Sequence, residues 1–313
     1  MKKALILLNM GGPNNLSEVE VFLKNMFNDP FILGVKSDFW RSVLASLIVK
    51  SRTASARSNY EKLGGRSPIC SITEALCERV NELARAKFGA ELKFENAASV
   101  SAANEPSQDV SSQSKPSQEA QTQNEAPQDE KPIDELICDY AMNYTPPFAE
   151  DVFKKYADFD EIILMPLYPH FSKTTVQSSL CSAEAALKRL GIKNYKTIDI
   201  FYDNAAYNEI LLNLIASCVA KFSADEISQI SLIFSAHSLP VKMITAGDPY
   251  EAQVEAHVKI LKDLLAARGI KFKEIILAYQ SRLGPVKWLE PNIADVLRDL
   301  QSKKALIFPI AFC

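Results

Sequence analysis

Six short apolar runs recur along the 313-residue chain, separated by longer stretches in which apolar positions recur at helical spacing. They are ALILL (4–8), EIILMPLY (161–168), KTIDIFY (196–202), SLIFSA (231–236), EIILAYQ (274–280) and ALIFPIAF (305–312). The runs are continuously apolar rather than alternating, which is typical of strands covered on both faces in a parallel sheet. The pattern therefore predicts an α/β fold with a doubly wound parallel sheet.

An apolar stripe near the amino terminus predicts the first helix. Ser17 and Glu20 match a capping box, in which each side chain binds the other residue's backbone N–H. The stripe that follows consists of Val19, Phe22, Leu23, Met26 and Phe27.

A second helical pattern covers residues 39–52, FWRSVLASLIVKSR, and is flanked by Arg41, Lys50 and Arg52. Such an apolar face either packs against the core or lies on a membrane surface, with basic groups beside it. The residues alone favour the core-facing helix.

Residues 101–132 differ in kind from the rest of the chain, since they contain no aromatic residue and no Leu, Ile or Met. Such a segment buries too little apolar surface to offset the conformational entropy that it would lose on folding. We expect a disordered surface insertion between a strand near LKFENA (92–97) and the segment LICDYAMNY (136–144).

Composition narrows the class of protein. A net charge of -3 and a pI near 5.8 argue against nucleic-acid binding, which needs a basic face. The six cysteines are scattered without a CxxC pair, which favours a reducing compartment and no disulfide framework. The first apolar run stops at Asn9, too early for a secretory signal, so a cytoplasmic protein is expected.

Parallel α/β sheets bind ligands beyond the carboxyl ends of their strands. His237 follows the run at 231–236, small side chains flank it, and Pro240 fixes the exit of the chain. An imidazole there can accept a proton near neutral pH or ligate a metal. The alternative is a packed histidine bonded to a neighbouring hydroxyl.

Two further histidines complete the set of three. His170 follows the run at 161–168 in the equivalent position, so it either shares a metal with His237 or serves a separate purpose. The hydroxyls after it, from Ser172 to Ser179, suit an anion such as a carboxylate. His257 lies within a helical pattern and is interpreted as an ordinary helix residue.

The glycine-rich segments at 10–13 and 63–68 lack the spacings of nucleotide-binding loops, so their glycines are interpreted as turn positions. No GxSxG nucleophile elbow is present. From the residues alone, the chain is a two-domain α/β enzyme with a histidine-centred cleft.

Six segments resemble the ferrochelatase family, whose members insert ferrous iron into a porphyrin to make haem. They are LILLNMGGP (5–13), GGRSPI (64–69), MPLYPHFSKTTVQSS (165–179), FSAHSLP (234–240), GDPYEAQ (247–253) and YQSRLGPVKWLEPN (279–292). They occur in the family's order, and FSAHSLP followed by GDPY is the most specific pair. Related chelatases for cobalt or nickel lack that pair.

The resemblance implies two Rossmann-like domains of chelatase type, with the porphyrin between them. We expect the first domain at 1–170, completed by 303–313, and the second at 171–302. The reaction it implies is that of a lyase, in which Fe(II) enters protoporphyrin IX or coproporphyrin after the macrocycle is bent and two pyrrole protons leave.

The resemblance gives the essential role to His237, as pyrrole base, iron ligand or both in turn. The residues it places around the porphyrin are Met10, Gly11, Tyr168, His170, Ser172, Thr174 and Trp288. It puts the helix at 39–52 on the cleft lip, which in some members touches a membrane. A cytoplasmic protein with peripheral membrane contact is therefore expected.

The sequence departs from the family pattern after PIAF (309–312). The family continues there into an acidic run that faces the histidine, so the acidic partner is expected to be absent after Cys313. The alternative function is a porphyrin- or haem-binding protein with reduced or no turnover. Iron–sulfur clusters of some members use cysteines mostly in a further C-terminal extension, so none is predicted.

Overall fold

Two parallel sheets organise the residues that the computed structural model describes, namely 1–98, 133–282, 284–302 and 304–311. The first sheet has the order β2-β1-β3-β4 and the second the order β6-β5-β7. The strands are β1 Lys2–Asn9, β2 Glu135–Met142, β3 Glu161–Pro166, β4 Tyr195–Thr197, β5 Ile230–His237, β6 Glu274–Gln280 and β7 Lys304–Pro309. Every pair is parallel, so the predicted α/β class with two Rossmann-like sheets is confirmed.

Helices fill the connections between these strands. They are α1 Val19–Asn28, α2 Pro30–Leu33, α3 Asp38–Lys62, α4 Ile69–Ala98, α5 Ala149–Phe153, α6 Ser178–Leu190, α7 Ala205–Val219, α8 Ala224–Ile227, α9 Val241–Thr245, α10 Tyr250–Ala267 and α11 Ile293–Asp299. A π-helical turn, Lys173–Gln177, leads directly into α6.

The central strand β1 is buried on both faces, as its unbroken apolar run predicts. On one face Ile6 and Leu8 pack with residues of α5 and α6, including Leu187. On the other face Leu7 packs against Cys77 of α4. Helices on both sides of a parallel sheet are the doubly wound arrangement.

The second sheet has its own core around β5. Leu232 and Phe234 pack against α7 and α10 through residues such as Ile215 and Val254. Within the described residues the two sheets thus have separate hydrophobic clusters, as expected for two Rossmann-like domains.

The structure corrects the predicted domain boundaries. Helix α6 packs on the first sheet and β4 pairs with β3, so the first domain extends past residue 170 to at least 197. Strand β7 pairs with β5 and not with the first sheet. The expected completion of the first domain by 303–313 is therefore wrong for this strand, because its hydrogen bonds are made in the second domain.

Two predicted local elements also differ. The strand predicted near 92–97 is wrong, because α4 continues to Ala98 through a segment without β-branched residues. The run at 196–202 forms a strand only to Thr197, after which Phe201 and Tyr202 donate backbone hydrogen bonds to the Pro169 carbonyl. The insertion expected at 101–132 lies outside the described residues.

The apolar stripe of α1 is confirmed, but its cap is not. Val19, Phe22 and Leu23 are buried. The side chain of Asn15, rather than that of Ser17, caps the short 3-10 turn that leads into α1, by accepting the Ser17 N–H at 2.9 Å. Asn15 is extended at φ -158°, as an N-cap residue should be.

Candidate active site

In each of the two sheets, the strand order reverses its direction at one central strand. Strand β1 lies between β2 and β3, and β5 lies between β6 and β7. A crevice opens beyond the carboxyl end of such a strand, because the flanking connections leave on opposite sides. Met10 and Gly11 directly follow β1, and His237 is the last residue of β5. Both segments singled out in the sequence therefore lie at topological switch points.

The loop after β1 is fixed by hydrogen bonds to the loop after β2. The Met10 carbonyl accepts the Tyr144 N–H at 3.0 Å, and the Gly12 N–H donates to Thr145 Oγ1 at 3.1 Å. Gly11 between them has a φ of +81°, and a Cβ there would lie 2.4 Å from Thr145 Oγ1. Gly11 is itself buried, so it acts by allowing this close approach.

Gly11→Ala is expected to lower the free energy of unfolding by about 2–5 kcal/mol, because it adds overpacking to an unfavourable positive φ. The matched control is Gly34→Ala, where φ is +65° but no atom lies within 4 Å of the added Cβ. The control should cost only about 1–2 kcal/mol. Chemical denaturation of both variants measures the difference, and equal losses would contradict the packing role of Gly11.

The imidazole of His237 is held in one tautomer. Its Nδ1 lies 2.7 Å from the Ser238 carbonyl oxygen, which only accepts, so Nδ1 carries the proton. In the neutral ring the lone pair is then on Nε2. Burial lowers the pKa of His237 below its ordinary value, and the hydrogen bond to Ser238 opposes that shift. The ring is therefore neutral at pH 7.

Trp288 lies beside the exit of β5. The Leu289 N–H donates to the Leu239 carbonyl at 3.0 Å, and Trp288 itself forms a β-bridge with Pro240. The structure thus brings His237 and the half-buried Trp288 to the same end of the same strand.

The other two histidines form a buried hydrogen-bonded chain with Asn208. His170 Nε2 lies 2.9 Å from His257 Nδ1, and His257 Nε2 lies 3.0 Å from Asn208 Oδ1. The Asn208 amide nitrogen donates to the carbonyls of Tyr202 and Asn204, so its oxygen faces His257. Each histidine therefore donates from Nε2, and the chain runs in one direction from His170 to Asn208.

Both of these imidazoles are neutral at ordinary pH. Burial lowers the pKa of His170 to about 3, with the charge on His257 adding to the effect, and burial lowers the pKa of His257 to about 4. Among the described residues no group of three or more His, Cys, Asp or Glu side chains is placed to hold a metal. The structure thus gives no support to a metal shared by His170 and His237.

Three side chains expected to contact the porphyrin are covered by protein. His170 and Ser172 are each 1% exposed and Tyr168 is 2% exposed. The Ser172 hydroxyl donates to Asp248 Oδ2 at 3.0 Å, and the Tyr168 hydroxyl is hydrogen-bonded to the Met10 backbone. That these three residues touch the macrocycle stays a prediction, and in this structure neighbouring groups enclose and bond them.

Helix α3, which contains residues 39–52, does not bury its apolar face as the core-facing interpretation requires. Only Ala45 and Val49 are buried. Phe39, Trp40 and Leu47 are 63–68% exposed. No helix within the described residues is long and apolar enough to cross a membrane.

Two Rossmann-like domains, with a neutral, tautomer-fixed histidine at one switch point, define an α/β protein of chelatase type. A family model described as Ferrochelatase matches residues 2–108 and 97–313. A curated ferrochelatase from Campylobacter fetus subsp. fetus is 50% identical, over 100% of this chain and 84% of the relative. One from Campylobacter concisus is 44% identical (100% and 83%), and one from Helicobacter pylori is 38% identical (99% and 78%).

The chain therefore belongs to the ferrochelatase family. It is a lyase that inserts ferrous iron into a porphyrin to make haem. Neither the family model nor the relatives support the alternative of porphyrin binding without turnover.

Proposed function

We propose that His237 acts on the pyrrole nitrogens and the incoming iron, as proton acceptor, iron ligand or both in turn. The observation that supports it is the 2.7 Å contact between Nδ1 and the Ser238 carbonyl at the end of a central strand. This contact makes Nε2 the nitrogen with the lone pair, which both roles need. The strand carries the ring on rigid support, as a reacting group requires.

The remaining half-buried residues of the predicted set form the proposed porphyrin walls. Met10 lies at the switch point of the first sheet, and Trp288 lies beside that of the second. Thr174 lies in the π-helical turn after β3. An aromatic ring and a thioether suit the flat apolar faces of a macrocycle.

The proposed substrate is a porphyrin with two or four carboxylates, protoporphyrin IX or coproporphyrin. Initial rates of ferrous insertion under anaerobic conditions, measured with each porphyrin in turn, identify the preferred one. We further propose that no iron–sulfur cluster takes part. The five described cysteines are unpaired, and their scattered positions do not form a cluster-binding pattern.

We expect the rate constant kcat/KM for iron insertion to fall as the pH drops below the pKa of His237. Only the neutral imidazole has a lone pair on Nε2, so the active fraction is full above that pKa and is lost below it. Because burial lowers this pKa, the acid limb should lie below pH 6.5. An acid limb at or above pH 7 would contradict the assignment.

The exposed apolar face of α3 supports a proposed peripheral contact with a membrane. Phe39, Trp40 and Leu47 are exposed together, and Lys50 and Arg52 lie at the end of the same segment. Arg41 is not part of this basic flank, because its guanidinium donates to the carbonyls of Asn28 and Val35. With unpaired cysteines and an acidic net charge, we propose a cytoplasmic enzyme that contacts a membrane surface and does not bind nucleic acid.

Replacing Trp40 and Leu47 together with alanine should weaken binding to anionic lipid vesicles by about tenfold or more, since both side chains would enter the interface. The control is the double replacement of Ile210 and Leu214, which are similarly exposed on α7. Vesicle co-sedimentation measures both. If the two double variants lose binding equally, α3 is not the contact.

A further inference from the structure

A tyrosine outside the predicted set holds the backbone of His237. The Tyr250 hydroxyl donates a hydrogen bond to the His237 carbonyl at 2.9 Å. Tyr250 is the first residue of α10 and is buried. The reacting ring is therefore carried by a backbone that α10 helps to fix.

The peptide between His237 and Ser238 is fixed at both of its polar groups. Its carbonyl accepts from Tyr250, and its N–H donates to the Gln280 carbonyl at 2.8 Å. The next carbonyl, that of Ser238, accepts the imidazole Nδ1–H. A rotation of this peptide would move the oxygen that sets the tautomer, so the Tyr250 hydrogen bond acts on the ring through the backbone.

The carboxylate of Asp248 fixes Tyr250 and joins it to the other domain. Its Oδ1 accepts the Tyr250 N–H at 3.1 Å. Its Oδ2 accepts the Ser172 hydroxyl at 3.0 Å and the Lys173 N–H at 2.8 Å. Asp248 is 3% exposed, so these hydrogen bonds are shielded from water. One carboxylate thus connects the start of α10 with Ser172 and the start of the π-helical turn that contains Thr174.

We propose that Tyr250 and Asp248 are positioning residues for iron insertion. Tyr250 keeps the His237 ring in its tautomer and direction, and Asp248 keeps Tyr250 in register with the porphyrin wall of the first domain. This inference rests on the proposed role of His237. It adds a path by which the wall on one domain and the reacting group on the other are held at a fixed spacing.

The test compares Tyr250→Phe with Tyr156→Phe, measured on the full chain. Each change removes one hydroxyl from a buried ring, and Tyr156 donates to Asp139 in the first domain. Tyr250→Phe should lower kcat for ferrous insertion about 10- to 100-fold, as loss of an orienting partner does, with little change in porphyrin binding by fluorescence quenching. Its acid limb should also move toward pH 6.5, because a freer ring is better solvated. Tyr156→Phe should change neither quantity.

Asp248→Asn gives a second measurement that does not depend on the phenol. It keeps the shape of the side chain but removes one of the two acceptor oxygens, so kcat should again fall more than porphyrin affinity does. The inference is overturned if Tyr250→Phe and Asp248→Asn match Tyr156→Phe in kcat and in the acid limb while His237→Ala is inactive. If His237→Ala itself retains insertion, the proposed role of His237 fails first.

Discussion

His237→Ala is expected to lower the rate of ferrous insertion by about 10²- to 10⁴-fold, the range by which a positioned acid–base group contributes. The variant loses the Nε2 lone pair, and no alanine atom can accept a pyrrole proton or ligate iron. Porphyrin should still bind, because the proposed walls at Met10 and Trp288 are unchanged. Stopped-time assays of metalloporphyrin formation measure the rate, and quenching of porphyrin fluorescence measures binding.

Porphyrin binding and thermal stability together distinguish a loss of chemistry from a loss of folding. His237 is only partly enclosed at the end of β5, so the thermal midpoint of the variant should stay close to that of the unaltered chain. Zinc insertion serves as a second assay that does not depend on keeping iron reduced. Turnover in the variant at a rate near that of the unaltered chain would show that another group acts on the pyrrole nitrogens.

His257→Ala should have the opposite profile, with the largest effect on stability. The ring is 0% exposed and makes hydrogen bonds to His170 and Asn208, so its removal leaves a cavity and two buried unsatisfied groups. We expect a loss of about 3–5 kcal/mol in the free energy of unfolding. His237→Ala is the matched control, because it makes the same change at a histidine that is only partly buried.

The stability of the unaltered chain should also fall in acid because of this histidine pair. The folded pKa values of about 3 and about 4 lie below the ordinary value of 6.5, so below pH 6.5 the unfolded state binds more protons than the folded state. The contribution is complete above pH 6.5 and is lost as the pH falls toward 4. Each histidine should add a slope of about 1.4 kcal/mol per pH unit.

Denaturant unfolding at several pH values measures this slope. In His257→Ala one of the two contributions should be missing, so its unfolding free energy should depend less on pH between 6.5 and 4. An unchanged dependence would mean that the pair is not what makes the folded state sensitive to acid.

The sequence correctly predicted strand β5 with His237 at its carboxyl end, because both can be recognised from neighbouring residues in the sequence. A continuous apolar run marks a buried parallel strand, and a polar residue directly after it marks the crevice end. The side-chain hydrogen bonds that surround the site instead join residues far apart in the sequence. Ser172 meets Asp248 across 76 residues, and His170 meets His257 across 87 residues. No periodicity within one element predicts such pairs.

The burial of His257 could have been predicted from the residues. It lies on the apolar face of α10, whose buried residues include Val254, Val258 and Leu261. The helical spacing of these residues therefore already predicts that the His257 side chain faces the core. The exposed face of α3 could not have been found in this way. Its pattern is equally compatible with burial, and only the burial of Ala45 and the packing of Val49 against α1 show which side is covered.

The positions of β1 and β5 have a mechanical consequence. Each is hydrogen-bonded to a neighbour along both edges, which makes it one of the least compliant parts of its sheet. A porphyrin is a stiff conjugated plane, and when two bodies press on each other the softer one deforms. Side chains at the ends of strands that are hydrogen-bonded along both edges can therefore press on the macrocycle with little movement of their own. The bending of the macrocycle that the family resemblance implies should therefore weaken when the central strands are softened, even by changes that never touch the porphyrin.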